Sequence, residues 1–85
     1  MNIKFTKQAD KDYKKLPLQI QKKADKQFSL LLAGYRHPSL RARKKGGENR
    51  YEARIDFHYR FTFIITGEDV FILSMGMHDE GLGKK

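Results

Sequence analysis

Two alternating segments joined by a very short loop restrict the possible folds more than any other feature of this sequence. Residues 50–56 and 59–65 each carry an apolar side chain at every second position, a period that predicts strands buried on one face. The apolar series are Tyr51, Ala53 and Ile55 in the first segment and Tyr59, Phe61, Phe63 and Ile65 in the second. Because both series must face one core, the segments are predicted to form an antiparallel hairpin with a three-residue loop at positions 56–58.

The same register brings two arginines together on the opposite face of the hairpin. Pairing Ile55 with Tyr59 sets Arg54 directly opposite Arg60. Like charges in this arrangement are mildly destabilising, and an anion bound between them would remove the penalty. The alternative interpretation, which the residues leave open, is a pair of solvated arginines near neighbouring carboxylates.

The rest of the chain supplies two helices and three further strands. Thr6 is a suitable N-cap for a helix that runs to about residue 15, and Pro17 separates it from a second helix that ends before Gly34. The second predicted helix covers residues 18–33, and the predicted strands cover residues 1–5, 41–45, 50–56, 59–65 and 70–76. The order β-α-α-β-β-β-β predicts an α+β fold, in which an N-terminal β strand and a helical hairpin pack on a mainly antiparallel four-stranded sheet. We expect a single domain over residues 1–80 and a flexible tail at residues 81–85.

Composition limits the classes of function. The 85 residues include 18 Lys and Arg against 10 Asp and Glu, and the net charge of +8 favours a polyanionic partner such as nucleic acid. No cysteine is present, which excludes a disulfide scaffold and a thiolate metal site. Three scattered histidines do not form a zinc motif, so neither a metal nor another cofactor is expected. With no apolar run of the roughly 20 residues that a membrane span needs and no signal peptide, we expect a cytoplasmic protein without a membrane partner.

A series of short segments follows, in order, the pattern of a known family. These segments are Phe5-Thr6-Lys7-Gln8-Ala9, Leu16-Pro17, His37-Pro38-Ser39-Leu40-Arg41, Gly46-Gly47, Tyr51-Glu52-Ala53-Arg54, Tyr59-Arg60-Phe61-Thr62-Phe63 and Gly76-Met77-His78-Asp79-Glu80. Together they resemble toxins of the RelE/ParE superfamily over nearly the whole chain. The resemblance implies a compact fold of the microbial-RNase type and a toxin of a type II toxin–antitoxin pair, held inactive by a cognate antitoxin. In the RelE branch the toxin enters the ribosomal A site and cleaves mRNA, whereas the ParE branch inhibits DNA gyrase.

The resemblance also suggests catalytic residues. Arg54 and Arg60 match two positions at which the RelE branch holds and polarises the scissile phosphate, and both are expected to stabilise the transition state. Glu52 stands where RelE has a lysine, and the C-terminal tyrosine of RelE has no counterpart. His78 lies near a histidine position of YafQ-like members and is the candidate acid or base, so the expected chemistry is closer to YafQ. His58 is the second candidate for that role.

A basic patch is expected to contact rRNA or mRNA through phosphates. Its predicted members are Arg41, Arg43, Lys44, Lys45, Arg50 and His58. The alternative is an ordinary solvated charged strand. The outer side of the last strand, with Phe71, Leu73 and Met75 near Ile64, is apolar and is a candidate surface for the antitoxin.

Three functions remain possible at this stage. The first is a ribosome-dependent mRNA endonuclease (an mRNA interferase) that inhibits translation by metal-independent 2′-OH attack. The second is a ParE-like, non-enzymatic gyrase inhibitor, and the third is an inactive RNA-binding relic.

Overall fold

The computed structural model describes residues 2–34, 37–45 and 49–77, which form one sheet and a helical layer. In chain order the elements are β1 (Asn2–Phe5), α1 (Lys7–Lys15), α2 (Leu18–Ala33), a 3₁₀ helix (Pro38–Leu40), β2 (Arg43–Lys44), β3 (Arg50–Arg54), β4 (Tyr59–Thr66) and β5 (Asp69–Met77). The predicted α+β class and the order β-α-α-β-β-β-β are confirmed. The predicted tail, residues 81–85, lies outside the described residues.

The strands form a single five-stranded sheet in the order β1-β5-β4-β3-β2. All pairs among β2 to β5 are antiparallel, and β1 runs parallel to β5 at the edge. The N-terminal strand therefore joins the predicted four-stranded sheet as its fifth strand. β2 covers only Arg43–Lys44, much less than the predicted strand at residues 41–45. The chain reaches β2 through Arg41, which is in the left-handed region with φ 49° and ψ 40° and cannot extend a strand.

Both helices begin and end where their sequence signals predict. The side chain of Thr6 accepts a hydrogen bond from the backbone N–H of Ala9, which caps α1. Pro17 directly precedes α2, and the N–H of Gly34 closes that helix by donating to the carbonyl groups of Leu30 and Leu31. No helix among residues 2–34, 37–45 and 49–77 is long and apolar enough to cross a membrane.

The core lies between the helices and one face of the sheet. Its buried apolar residues are Ala9, Leu16, Ala24, Phe28, Leu31, Leu40, Ala53, Ile55, Phe61, Phe63, Val70, Ile72 and Met75. Burial of each large side chain is worth about 1.5–3 kcal/mol, so this single layer carries most of the stability. Two polar residues, Gln27 and Glu52, are also buried. The core leaves the other face of the sheet, which carries Arg54 and Arg60, outside the helical layer.

A β-bulge in β5 changes which residues of that strand face the core. Thr62 pairs with Ser74 but Phe63 pairs with Ile72, so Leu73 is the extra residue. Met75 is therefore buried in the core, and its predicted place on the outer apolar surface is wrong. Just after the bulge, the backbone N–H of Met75 donates a hydrogen bond of 3.0 Å to the carboxylate of Asp12 on α1.

The bulge also places Gly76 beside Arg60, on the same face. If the predicted outer series Phe71, Leu73 and Met75 alternated strictly along β5, residue 78 would lie on the face opposite Arg60, which would argue against a catalytic role for His78. The bulge at Leu73 interrupts this alternation, so the argument does not hold. His78 itself lies outside the described residues.

Candidate anion site and family

Arg54 and Arg60 lie directly opposite each other on neighbouring strands, as the hairpin register predicts. The loop between them is closed by backbone hydrogen bonds from Ile55 and Asp56 to the carbonyl of Tyr59. Both guanidinium groups line an open cavity of about 320 Å³ on the outer face of the sheet. The lining residues within the described part of the chain are Arg41, Arg43, Glu52, Arg54 and Arg60. Four guanidinium groups against one carboxylate make this cavity a strongly positive site.

One atom of the cavity is conspicuously unsatisfied. The Nε of Arg54 is buried and has no hydrogen-bond partner among the described residues. A buried donor without a partner costs about 1–3 kcal/mol, and more when the group is charged. An anion bound in the cavity would offset the repulsion between Arg54 and Arg60.

Glu52 is the single acidic residue of the cavity, and its side chain is only 10% exposed. Its carboxylate lies 3.8 Å from Arg43 of β2 and 3.2 Å from the Nζ of Lys45 just after that strand, so two cations cover it. The alternation of residues 50–56 indicates only that Glu52 lies on the outer face and gives no sign of its burial. The burial of Glu52 and its two ion pairs are thus features that the sequence did not reveal, and Glu52 is the carboxylate of the described lining.

Gln27 fixes the position of the arginine cavity relative to the helices. Its Nε2 donates to the carbonyl of Arg54 at 2.8 Å and to the carbonyl of Ser39, next to Leu40, at 3.1 Å. These two bonds join α2 to the end of β3 and to the 3₁₀ helix that leads into Arg41. The left-handed conformation of Arg41 is uncommon for a residue other than glycine, and it sets the guanidinium of Arg41 among the cavity residues.

Replacing Gln27 with Met is expected to lower the free energy of unfolding by about 2 kcal/mol, because two enclosed carbonyl groups lose their donor. Chemical denaturation monitored by circular dichroism measures the change. The control is Gln19→Met at an exposed position of the same helix, which should shift stability by less than about 0.5 kcal/mol. Equal effects of the two substitutions would contradict the anchoring role of Gln27.

A family comparison identifies the chain. Residues 3–81 match the family described as the ParE toxin of the type II toxin-antitoxin system, parDE. The chain belongs to the ParE toxin family. The resemblance to RelE/ParE superfamily toxins that the sequence motifs predicted is thereby confirmed, and the chain is a toxin of the type II class. No curated protein matches this ParE-family chain in sequence.

Solved structures share the fold of this ParE-family toxin. The YoeB/ParE toxin from Agrobacterium tumefaciens superposes with a TM-score of 0.80 at 14% identity, covering 93% of this chain and 100% of that chain. The intact E. coli RelBE toxin-antitoxin complex gives 0.75 at 21% identity, covering 92% and 96%, respectively. YafQ from E. coli strain BL21(DE3) gives 0.70 at 15%, covering 89% and 91%. At these identities the likeness establishes the fold.

The other residues predicted for the toxin's site are spread around the cavity. Arg41 and Arg43 line it, and Lys45 reaches it through Glu52. Lys44 is exposed and lies opposite Tyr51 in the register of β2 and β3, outside the cavity lining. Arg50 borders a separate groove with Ile64 and Leu73. His58 is exposed in the β3–β4 loop, and His78 lies outside the described residues. His37 caps the 3₁₀ helix by accepting a hydrogen bond from the N–H of Ser39.

Proposed function

We propose that this toxin is a ribosome-dependent mRNA endonuclease that cleaves by attack of the ribose 2′-OH and needs no metal. The observation that carries the proposal is the cavity in which Arg54 and Arg60 lie side by side on the outer face of the sheet. Among the described residues, the buried Nε of Arg54 has no hydrogen-bond partner. Lining of this composition suits an anion with several oxygen atoms, and a phosphate of RNA has that chemistry.

In this proposal the two arginines stabilise charge that develops during the reaction. Attack of the 2′-oxygen on phosphorus adds negative charge to the non-bridging oxygens, and fixed guanidinium groups oppose that charge without having to reorganise. The role of Arg54 and Arg60 in this proposal is electrostatic and includes no proton transfer. Arg41 and Arg43 complete the wall of the cavity and hold the phosphate there.

The proposal assigns the proton transfers to other groups. Glu52 takes the proton of the attacking 2′-OH, because it is the carboxylate of the cavity and lies on the same sheet face as Arg54. The bond from phosphorus to the 5′-oxygen then breaks, and His78 gives a proton to that leaving oxygen. The products are a 2′,3′-cyclic phosphate and a free 5′-OH. His58 is the alternative proton donor if His78 does not reach the site.

Contacts with the ribosome and the mRNA extend beyond the cavity in this proposal. The exposed cations Lys44 on β2 and Arg50 on β3 lie outside the cavity and would contact backbone phosphates of rRNA or mRNA. Such contacts orient an RNA without reading its sequence. Entry into the A site would supply the geometry that the small cavity alone does not impose on a flexible strand.

A second candidate function is inhibition of DNA gyrase without catalysis. Two observations favour it: the matching family is described as the ParE toxin, and Glu52 occupies the position at which the RelE branch has a lysine. In this alternative Glu52 neutralises part of the arginine cluster and the cavity is a docking feature. An inactive RNA-binding relic is the third possibility.

We also propose a cognate antitoxin as partner, because similar solved structures include the RelBE and DinJ-YafQ toxin-antitoxin complexes of E. coli. The apolar surface predicted for the antitoxin no longer includes Met75, because that residue is buried in the core. The remaining apolar residues Ile64 and Leu73 line a groove of about 300 Å³, and Phe71 pairs with Ile64 on the same face. This half-buried strip is the surface that we assign to the antitoxin.

The test is induced expression in a bacterial host, with growth followed and mRNA 5′ ends mapped within minutes. We expect growth arrest and new 5′ ends inside translated frames, both lost in Arg60→Ala and in His78→Ala. Lys7→Ala, which removes an exposed cation of α1, is the control and should remain toxic. Arrest with DNA damage and without mRNA cleavage would support gyrase inhibition. Absence of arrest in the parent would favour the relic.

A further inference from the structure

The tip of the β3–β4 hairpin presents an aromatic side chain to solvent. Phe57 is 75% exposed, more than any other large apolar residue that the structure describes. It is the middle residue of the three-residue loop that joins the strands of Arg54 and Arg60. A lone exposed apolar residue is common on protein surfaces and needs no explanation. The surroundings of Phe57 are what set it apart.

The loop that carries Phe57 is held in one conformation. The carboxylate of Asp56 accepts hydrogen bonds from the N–H of His58 at 2.9 Å and of Tyr59 at 3.0 Å, and it pairs with Lys23 of α2 at 3.3 Å. Burial of Asp56 acts to raise its pKa, but the two backbone hydrogen bonds and Lys23 outweigh it, so the pKa is lowered and the carboxylate stays ionised. The ring of Phe57 is therefore displayed from a fixed loop.

A second ring supports the first. The ring of His58 meets that of Phe57 edge to face, with centroids 5.0 Å apart and an interplanar angle of 82°. This contact restricts the rotation of Phe57, while three quarters of that side chain stays accessible. The pair forms a small aromatic surface that makes no contribution to the core.

The chain places this surface next to the arginine cavity. Arg54 and Arg60 are each three residues from Phe57, so their Cα atoms lie within about 11 Å of it even if the chain were fully extended. A cationic cavity beside an exposed aromatic ring is the combination with which proteins bind single-stranded nucleic acid, since cations hold the backbone and rings stack on bases.

We propose that Phe57 is a stacking platform for a nucleobase of single-stranded RNA whose phosphate lies in the cavity lined by Arg54 and Arg60. The inference deepens the proposed function, on which it rests for the identity of the ligand as RNA. Stacking on one ring face does not require a particular base, so Phe57 adds affinity without a strict sequence preference. The fixed loop reduces the entropy lost on stacking, because the ring is already ordered before the RNA arrives.

The test measures binding of the full chain to a fluorescent 2′-O-methyl oligonucleotide of about ten nucleotides, which cannot be cleaved by 2′-OH attack. We expect Phe57→Leu to weaken binding about tenfold and Phe57→Trp to retain it, because leucine keeps the apolar character but has no ring face. Leu18→Ala removes another exposed apolar side chain, far along the sequence on α2, and should leave binding unchanged. The thermal midpoints of all three variants should equal that of the parent.

An oligonucleotide with abasic positions identifies the group that stacks. The affinity of the parent for the abasic oligonucleotide should be about as low as that of Phe57→Leu for the complete oligonucleotide. Phe57→Leu itself should bind the abasic and the complete oligonucleotides with equal affinity. Unchanged binding by Phe57→Leu, an equal loss on both oligonucleotides, or no binding by the parent would each overturn the inference. A contact of Phe57 with a protein partner would appear as the first of these outcomes.

The proposed nuclease and the proposed stacking residue fail in different ways. If mRNA cleavage in cells persists in the parent and is equally fast in Phe57→Leu, the stacking role is wrong and the nuclease stands. If the parent cleaves no mRNA but the tenfold effect of Phe57→Leu on RNA binding is found, the nuclease is wrong and the base contact stands.

Discussion

Replacing Arg54 with Met is expected to lower the rate of mRNA cleavage about 10²–10³-fold, the usual cost of removing one donor from a preorganised site for a developing anion. The same substitution is expected to leave the free energy of unfolding unchanged or to raise it. Met has a similar length and can occupy the space of the aliphatic stem of Arg54. It also removes the unpartnered Nε and the charge that faces Arg60 across the two strands.

Two measurements on one purified variant decide this prediction. Cleavage of mRNA on programmed ribosomes gives the rate, and the midpoint of urea unfolding gives the stability. Lys7→Met, at an exposed position of α1, is the matched control and should change neither quantity. A loss of more than about 1 kcal/mol in Arg54→Met would show that Arg54 is held by contacts within the protein and would weaken the assignment of the cavity as an anion site.

An arginine that lowers stability while it serves a reaction is a physical signature of a functional site. A sequence under selection for stability alone would place an apolar or neutral residue at position 54, since the adjoining residue Ala53 and the facing residue Phe61 already fill the core side. A bound anion would give the charge at position 54 a use that stability alone does not. The energetic cost of Arg54 favours an anion site at this position whichever family the chain belongs to.

The hairpin register was predictable because its two strands are apolar on one face only. A slip of one residue would have brought Arg60 into the core, and the shortest loop that keeps both apolar faces together sets Arg54 opposite Arg60. β5 offered no such signal, since it is apolar on both faces and its period cannot reveal the extra residue at Leu73. The hydrogen bond from the N–H of Met75 to Asp12 crosses 63 positions of the sequence, which no local pattern reports.

The burial of Glu52 was equally out of reach of a local pattern. Alternation in β3 correctly placed it on the outer face, where most charged residues meet water. Its enclosure depends on the two-residue strand β2, which follows the left-handed Arg41: Arg43 of β2 and Lys45, the next residue after β2, cover the carboxylate. Contacts between short edge segments of this kind arise from tertiary structure, and they determine the candidate proton acceptor of the site.

The largest effect on stability is expected for Phe63→Ala, at about 3–5 kcal/mol. Phe63 is fully buried in β4, stacks on Tyr51 with ring centroids 5.4 Å apart and contacts the ring of Phe61 at 5.6 Å. A small domain has about 5–15 kcal/mol of stability in total, so this one cavity would remove a large part of it. The thermal midpoint should fall by about 15 °C or more, as measured by circular dichroism.

Phe57→Ala removes the same side chain from an exposed position and is the control for that experiment. It should shift the midpoint by only a degree or two, because little apolar surface of Phe57 is buried on folding. Similar losses in the two variants would mean that the hairpin tip packs as tightly as the core. A large loss in Phe63→Ala alone would separate the two roles of phenylalanine in this hairpin. Residue 63 then stabilises the sheet on which the arginines lie, and residue 57 remains available for a ligand at no cost to the fold.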